Sequence, residues 1–149
     1  MFPAQYYYPF FIYSVLLLSI VQYVNLRSQS QYALLSTKKG IGGMIAYCVL
    51  FIIIVGLRPI SYHFGDTVNY AYTYYGYQHG KILYNPNSSD WLFYWAMAKA
   101  SRIMSVQNFF LIIEVLYIVP MLWACKRLFL RNSGIAMLFC FGAFSFFTY

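Results

Sequence analysis

Charge is what this sequence has least of. Charged residues fill 9% of its 149 positions, and only three are acidic: Asp66, Asp90 and Glu114. A soluble domain carries roughly 25% charged residues, so this chain lacks the means to cover a water-facing surface. Cysteine is also scarce. Cys48, Cys125 and Cys140 each sit in an apolar run, with no CxxC spacing and no neighbouring histidine. They read as buried free thiols and leave the redox compartment open. No Lys or Arg precedes Arg27, so the N-terminus lacks the basic start of a secretory signal, and the first apolar run is expected to be retained. There is no Walker-type glycine loop, nucleophile elbow, HExxH, pair of catalytic carboxylates or internal repeat. Soluble enzyme classes therefore have no footing.

What is there is apolar and aromatic. Hydrophobic residues make up 62% and aromatics 23%, and mean hydropathy is +0.59. A bilayer core about 30 Å thick needs roughly 17–25 apolar residues per helix. Three runs qualify, about 8–26, 41–57 and 106–125. A fourth begins at 135 and is still apolar at Tyr149, so the chain reads as truncated in its last span. The fold class is all-α, a polytopic transmembrane helical protein. The stretch 90–104 is too short and too charged, at Lys99 and Arg102, for a clean span. It reads as an interfacial or re-entrant helix.

The ten Lys and Arg against three acids give a net charge of +7. They are scattered near the ends of the spans, which points to topology and away from nucleic acid. Arg27, Lys38 and Lys39 crowd one short loop, and Lys126, Arg127 and Arg131 another. Both are expected to be cytoplasmic, with the N-terminus and the longer segment 58–105 outside.

That outer segment holds Asp66, Asp90, His63 and His79. Gly65-Asp66 offers a break and an N-cap, Tyr70, Tyr74 and Tyr77 then share one helical face, and Gly80 can end the helix. The run 85–89 is turn chemistry, and Ser89 or Asp90 can cap the next helix. Arg58, directly after the second span, is either a snorkelling anchor or an anion clamp whose planar fork grips phosphate at headgroup depth. Asp66 is either the cap or a carboxylate that orients or deprotonates a hydroxyl. The tyrosines are either an interfacial belt or a platform for sugar rings. His63 and His79 are too few and too loosely spaced for a metal site. Glu114, mid-span, reads as a structural or coupling residue, protonated or paired with a base on a further helix. Pro120 is expected to kink its helix.

The order Gly56-Leu57-Arg58, Gly65-Asp66, Asn69-Tyr70 resembles the EpsG family of bacterial exopolysaccharide and capsule-synthesis membrane proteins, in its N-terminal portion. Where that family more usually has Glu-Pro-Gly before an aromatic, this chain has Asp90-Trp91. The resemblance implies a polysaccharide polymerase of the inner membrane. It would join repeat units carried on polyprenyl diphosphate at the outer face, with Arg58 on the leaving diphosphate and Asp66 on the acceptor hydroxyl. Tyr70, Tyr74, Tyr77 and His63 would line the substrate site. No metal or other cofactor is demanded, because a diphosphate ester is already activated. The implied partners are the lipid-linked oligosaccharide, membrane lipids, and flippase and chain-length regulator proteins. A non-catalytic part of a flippase or export complex, or an inactive fragment, are the competing readings.

Overall fold

A computed structural model of the chain describes residues 3–28, 41–128 and 133–144. Lys38, Lys39 and Arg131, used in the orientation argument, lie outside the described residues, as do the side chain of Arg27 and the apolar run from 145 onward. The described regular structure is all helical. It comprises α1 (Tyr7–Ser28), α2 (Ile41–Gly56), α3 (Thr67–Gln78), α4 (Trp91–Ala100), α5 (Val106–Leu128) and α6 (Ser133–Phe144). Short 3-10 turns at Ala4–Tyr6 and Tyr62–Phe64 precede α1 and α3.

Among the described residues one helix, Val106–Leu128, is long and apolar enough to cross a membrane. It runs through Pro120 without a break in the helix, although proline has no N–H to give the preceding turn. α2 has 16 residues, about 24 Å at the α-helical rise. Its end has a local cause: Arg58 precedes Pro59, and a proline pushes the residue before it out of the helical region. On α1, Ser14 Oγ donates to the Phe11 carbonyl (2.9 Å) and Ser19 Oγ to the Val15 carbonyl (2.8 Å). Each hydroxyl is thus satisfied within its own helix.

α2 lies antiparallel to both α1 and α5. Against α1, Phe11 meets Phe51 at 5.3 Å between ring centres, and Ser14 Oγ lies 3.1 Å from Tyr47 Oη. Against α5, Gly56 meets Leu111, while Cys48 clusters with Ile118 and Cys125 further along. α6 inserts Phe141, fully buried, edge-on to Tyr47 (5.3 Å) and 4.7 Å from Phe51. Such ring pairs contribute about 0.5–1.5 kcal/mol each beyond the area they bury. The start of α1, the end of α2 and the start of α5 therefore share one end of the bundle.

Two hydrophobic clusters are stacked along α5. Val106 and Phe109, in its first turns, pack with Ala71, Tyr74, Met97 and Ala100 of α3 and α4. Ile118 and Cys125, further on, pack with Tyr47, Cys48, Met137 and Phe141 of α2 and α6. The outward sides of α1 and α5 stay apolar: Leu17 is 62%, Leu116 61% and Trp123 63% exposed.

The segment between α2 and α5 is a folded cap. α3 ends in a Schellman motif. Gly80, at φ +67°, lets its own N–H reach the Tyr77 carbonyl (3.2 Å), and Lys81 N–H reaches the Gly76 carbonyl (2.9 Å). The left-handed conformation is why a glycine stands there. α4 covers 91–100, inside the stretch 90–104 picked out from the sequence. Its Trp91, Leu92 and Trp95 point outward, while Met97 and Ala100 turn inward.

Candidate functional site

The site is built from the end of α2 outward. Gly56 is the point of closest approach to α5. A Cβ placed on it would lie 2.7 Å from Leu111 Cδ1 and 2.9 Å from Leu111 Cα, so only a glycine lets the two backbones meet. Two residues on stands Arg58, half-buried, with its guanidinium carbon 5.1 Å from the centre of the Phe64 ring. Phe64 is itself met edge-on by Tyr7 of α1, 5.2 Å away at 80°. A cation over an aromatic face gains about 0.5–2 kcal/mol, depending on how far it is removed from water. Stacking uses the flat face of the guanidinium and leaves its in-plane N–H fork for an anion.

Burial is the largest influence on Arg58 and works to lower its pKa, while Glu114 and then Tyr7 work to raise it. Glu114 stands one turn past Leu111 on α5 and is half-buried. Phe64 was not attached to Arg58 from sequence.

The chain then turns outward. Ser61, in extended backbone, caps the short turn by accepting from His63 N–H at 3.3 Å. The exposed His63 ring has its Nδ1 3.2 Å from the same hydroxyl. Gly65, at φ +55°, makes the bend into α3. Asp66 occupies the N-cap position but makes no side-chain cap bond. This corrects the capping expectation, and the reason is conformational. A capping residue needs an extended backbone, whereas Asp66 sits at φ −75°, ψ 5°. Its Oδ1 instead accepts from Asn69 Nδ2 at 3.1 Å. Asp66 is exposed and lies at the N-terminal, positive end of the α3 dipole. Asp90 likewise precedes α4 without a side-chain cap, at φ −105°, ψ 41°.

Tyr70, Tyr74 and Tyr77 do share a face, and that face is turned into the cap. Tyr74 is fully buried, donates its hydroxyl to the Met104 carbonyl at 2.8 Å, and packs 5.4 Å from Phe109. It has no side for a sugar ring, so a packing role replaces the expected platform. Tyr70 stands edge-on to Phe93 at 5.3 Å, and Tyr77 packs on the same cluster. Burial raises the phenol pKa of all three, with the Asp66 carboxylate second at Tyr70. The aromatics that α3 and its lead-in offer outward are Tyr62, Tyr72 and Tyr75, of which Tyr62 is 81% and Tyr72 74% exposed. His79, exposed, sets its Nδ1 2.8 Å from the Tyr75 carbonyl at the end of α3.

Among the described residues no group of three or more His, Cys, Asp and Glu side chains is placed to hold a metal. The arrangement offers a stacked, half-buried cation at the mouth of a helical bundle and a solvated carboxylate on the adjoining helix. It suits charge recognition and proton handling. In comparison with known proteins, the chain matches no family model, no curated protein and no solved structure.

Proposed function

We propose that the chain is a multi-span inner-membrane protein of surface-polysaccharide synthesis, similar to the EpsG family. Its activity is the joining of repeat units carried on polyprenyl diphosphate. The observation that carries this reading is Arg58: a guanidinium stacked on Phe64 at the shared end of α1, α2 and α5. A membrane-borne diphosphate presents its charge at headgroup depth, and a planar fork there binds it in two-point fashion. In the transfer, Arg58 stabilises the charge that builds on the leaving diphosphate. Asp66, exposed beside Asn69, orients the acceptor hydroxyl and takes its proton as the glycosidic bond forms.

Two further features support a multi-span arrangement. The outward faces of α1, α2 and α5 are apolar, as bilayer-facing surfaces are. Lys126 and Arg127 are exposed at the far end of α5, with Arg127 over Trp123 at 5.9 Å. That end is then cytoplasmic, and the cap and the N-terminus face outside. α4, with Trp91, Leu92 and Trp95 outward, lies in the interface between headgroups and lipid chains.

The test is deletion in the source organism and complementation by the full reading frame, as wild type, Arg58→Ala and Asp66→Ala. Polysaccharide length is read on a gel beside the membrane level of each variant. The reading expects both variants to accumulate normally and to leave single repeat units. Unchanged polymer length in either would make Arg58 an anchor or Asp66 a bystander.

A further inference from the structure

The chain has three cysteines, and the fold gathers them from three helices into one cluster. Cys48 of α2 and Cys125 of α5 are buried in it, 2% and 4% exposed. Cys140 of α6, half-buried, packs against it. All three are free thiols, and two of them touch. Cys125 Sγ lies 3.9 Å from Cys140 Sγ, 15 residues on in sequence. A disulfide holds its sulfurs about 2.05 Å apart. The remaining gap of roughly 2 Å is within reach of rotation about the two Cα–Cβ bonds.

A single thiol in an apolar core is a small hydrophobe. Two in contact can do more. Cys140, the more open of the pair, is the sulfur that a small oxidant meets first. Oxidised by itself it would leave a polar sulfenic acid against Met137 and Phe141, which are fully buried. With Cys125 beside it, the sulfenic acid condenses to a disulfide, and the seam is apolar again. We propose that Cys125 and Cys140 form a reversible thiol–disulfide pair, oxidised by a hydroperoxide, that fastens α6 to α5. In the first step the peroxide O–O bond breaks. Cys140 sulfur takes one hydroxyl, and its thiol proton leaves with the other oxygen as water (for an alkyl hydroperoxide, as alcohol). In the second, Cys125 sulfur attacks Cys140 sulfur, the S–S bond forms, and the displaced hydroxyl takes the Cys125 proton as a further water. The two sulfurs together lose two electrons, which reduce the peroxide. A dithiol reverses the change by thiol exchange. Cys48, in the same cluster, takes no part and is the internal control. Arg58 and its ligand play no part either.

The full chain in detergent, as wild type, Cys125→Ser, Cys140→Ser and Cys48→Ala, is exposed to hydrogen peroxide. Free thiols are then blocked with N-ethylmaleimide in denaturing detergent. The protein is reduced with dithiothreitol, and the thiols so released are tagged with a polyethylene-glycol maleimide and counted on a gel. Wild type and Cys48→Ala should each carry two tags, and each serine variant at most one. Oxidised wild type should run as a monomer without reductant. Closing a loop of this length should raise its Tm by about 6–12 °C, a gain that dithiothreitol removes. Peptide mapping of the tagged wild type identifies the two sulfurs directly, so the result stands even where a variant fails to fold. Tags on Cys48, no tags on wild type, or a dimer linked between chains would overturn the pairing. Two tags with an unchanged or lowered Tm would overturn the fastening of α6 to α5.

Discussion

Replacing Gly56 tests the contact on which the site's geometry depends. In Gly56→Ala the new methyl would lie 2.7 Å from Leu111 Cδ1, 3.4 Å from its Cβ and 2.9 Å from its Cα. The side-chain end can rotate away, but the Cα cannot move without shifting α5. Overpacking of this kind costs about 1–3 kcal/mol. Alanine recovers up to about 1 kcal/mol in helix propensity, less at a helix end. The net loss for Gly56→Ala is therefore about 1 kcal/mol. Gly56→Leu gains no further propensity and adds three more carbons to the clash, so its loss is about 3 kcal/mol or more. For a chain of this size 1 kcal/mol moves Tm by roughly 2–4 °C. Thermal unfolding in detergent, followed by far-ultraviolet circular dichroism, should show a drop of about 3 °C for Gly56→Ala and about 10 °C for Gly56→Leu. A Gly56→Leu protein that unfolds at the wild-type temperature would refute the reasoning, because α2 and α5 would then not meet through Gly56.

Tyr74→Phe should lower stability by about 0.5–1.5 kcal/mol through loss of the bond to the Met104 carbonyl, and Tyr74→Ala by about 3–5 kcal/mol. Tyr72→Ala, on the open face, should stay within about 0.5 kcal/mol. Chemical denaturation of the three variants side by side checks the order. Burial raises the Tyr74 phenol above its usual value of 10. Its neutral form is thus favoured by the fold, its stabilisation is complete below pH 10, and it is lost as pH climbs through the folded-state value. An ultraviolet titration should accordingly show a late-ionising tyrosine that disappears in Tyr74→Phe. Asp66→Ala should change stability by less than about 0.5 kcal/mol, since no cap bond is lost. A larger drop in Tm would make Asp66 a structural residue.

Much of the helical framework was legible because its signals are local. Long apolar runs marked α1, α2 and α5, and Gly65 and Gly80, both at positive φ, bracketed α3. The misread parts depend on what lies across from a residue. Spacing puts Tyr70, Tyr74 and Tyr77 on one face, but does not say whether that face meets water or Phe93 and Phe109, which belong to later helices. Asp66 has the right residue type and position for a cap, yet its backbone angles deny the side chain the needed reach. Ser61, with extended angles, makes the equivalent bond at the preceding turn.

The stacking of two clusters on one continuous helix also constrains how this architecture can change. Each residue along α5 turns the helix by about 100°. The side chains that α5 gives to the cluster with α3 and α4 end at Ile113, and those it gives to the cluster with α2 and α6 begin at Ile118. A single residue inserted between them would rotate one cluster by more than a quarter turn against the other. α5 therefore serves as a phase reference: drift in its length is barred even where its surface composition is free to vary, and the cap and the bundle must keep their angular setting together.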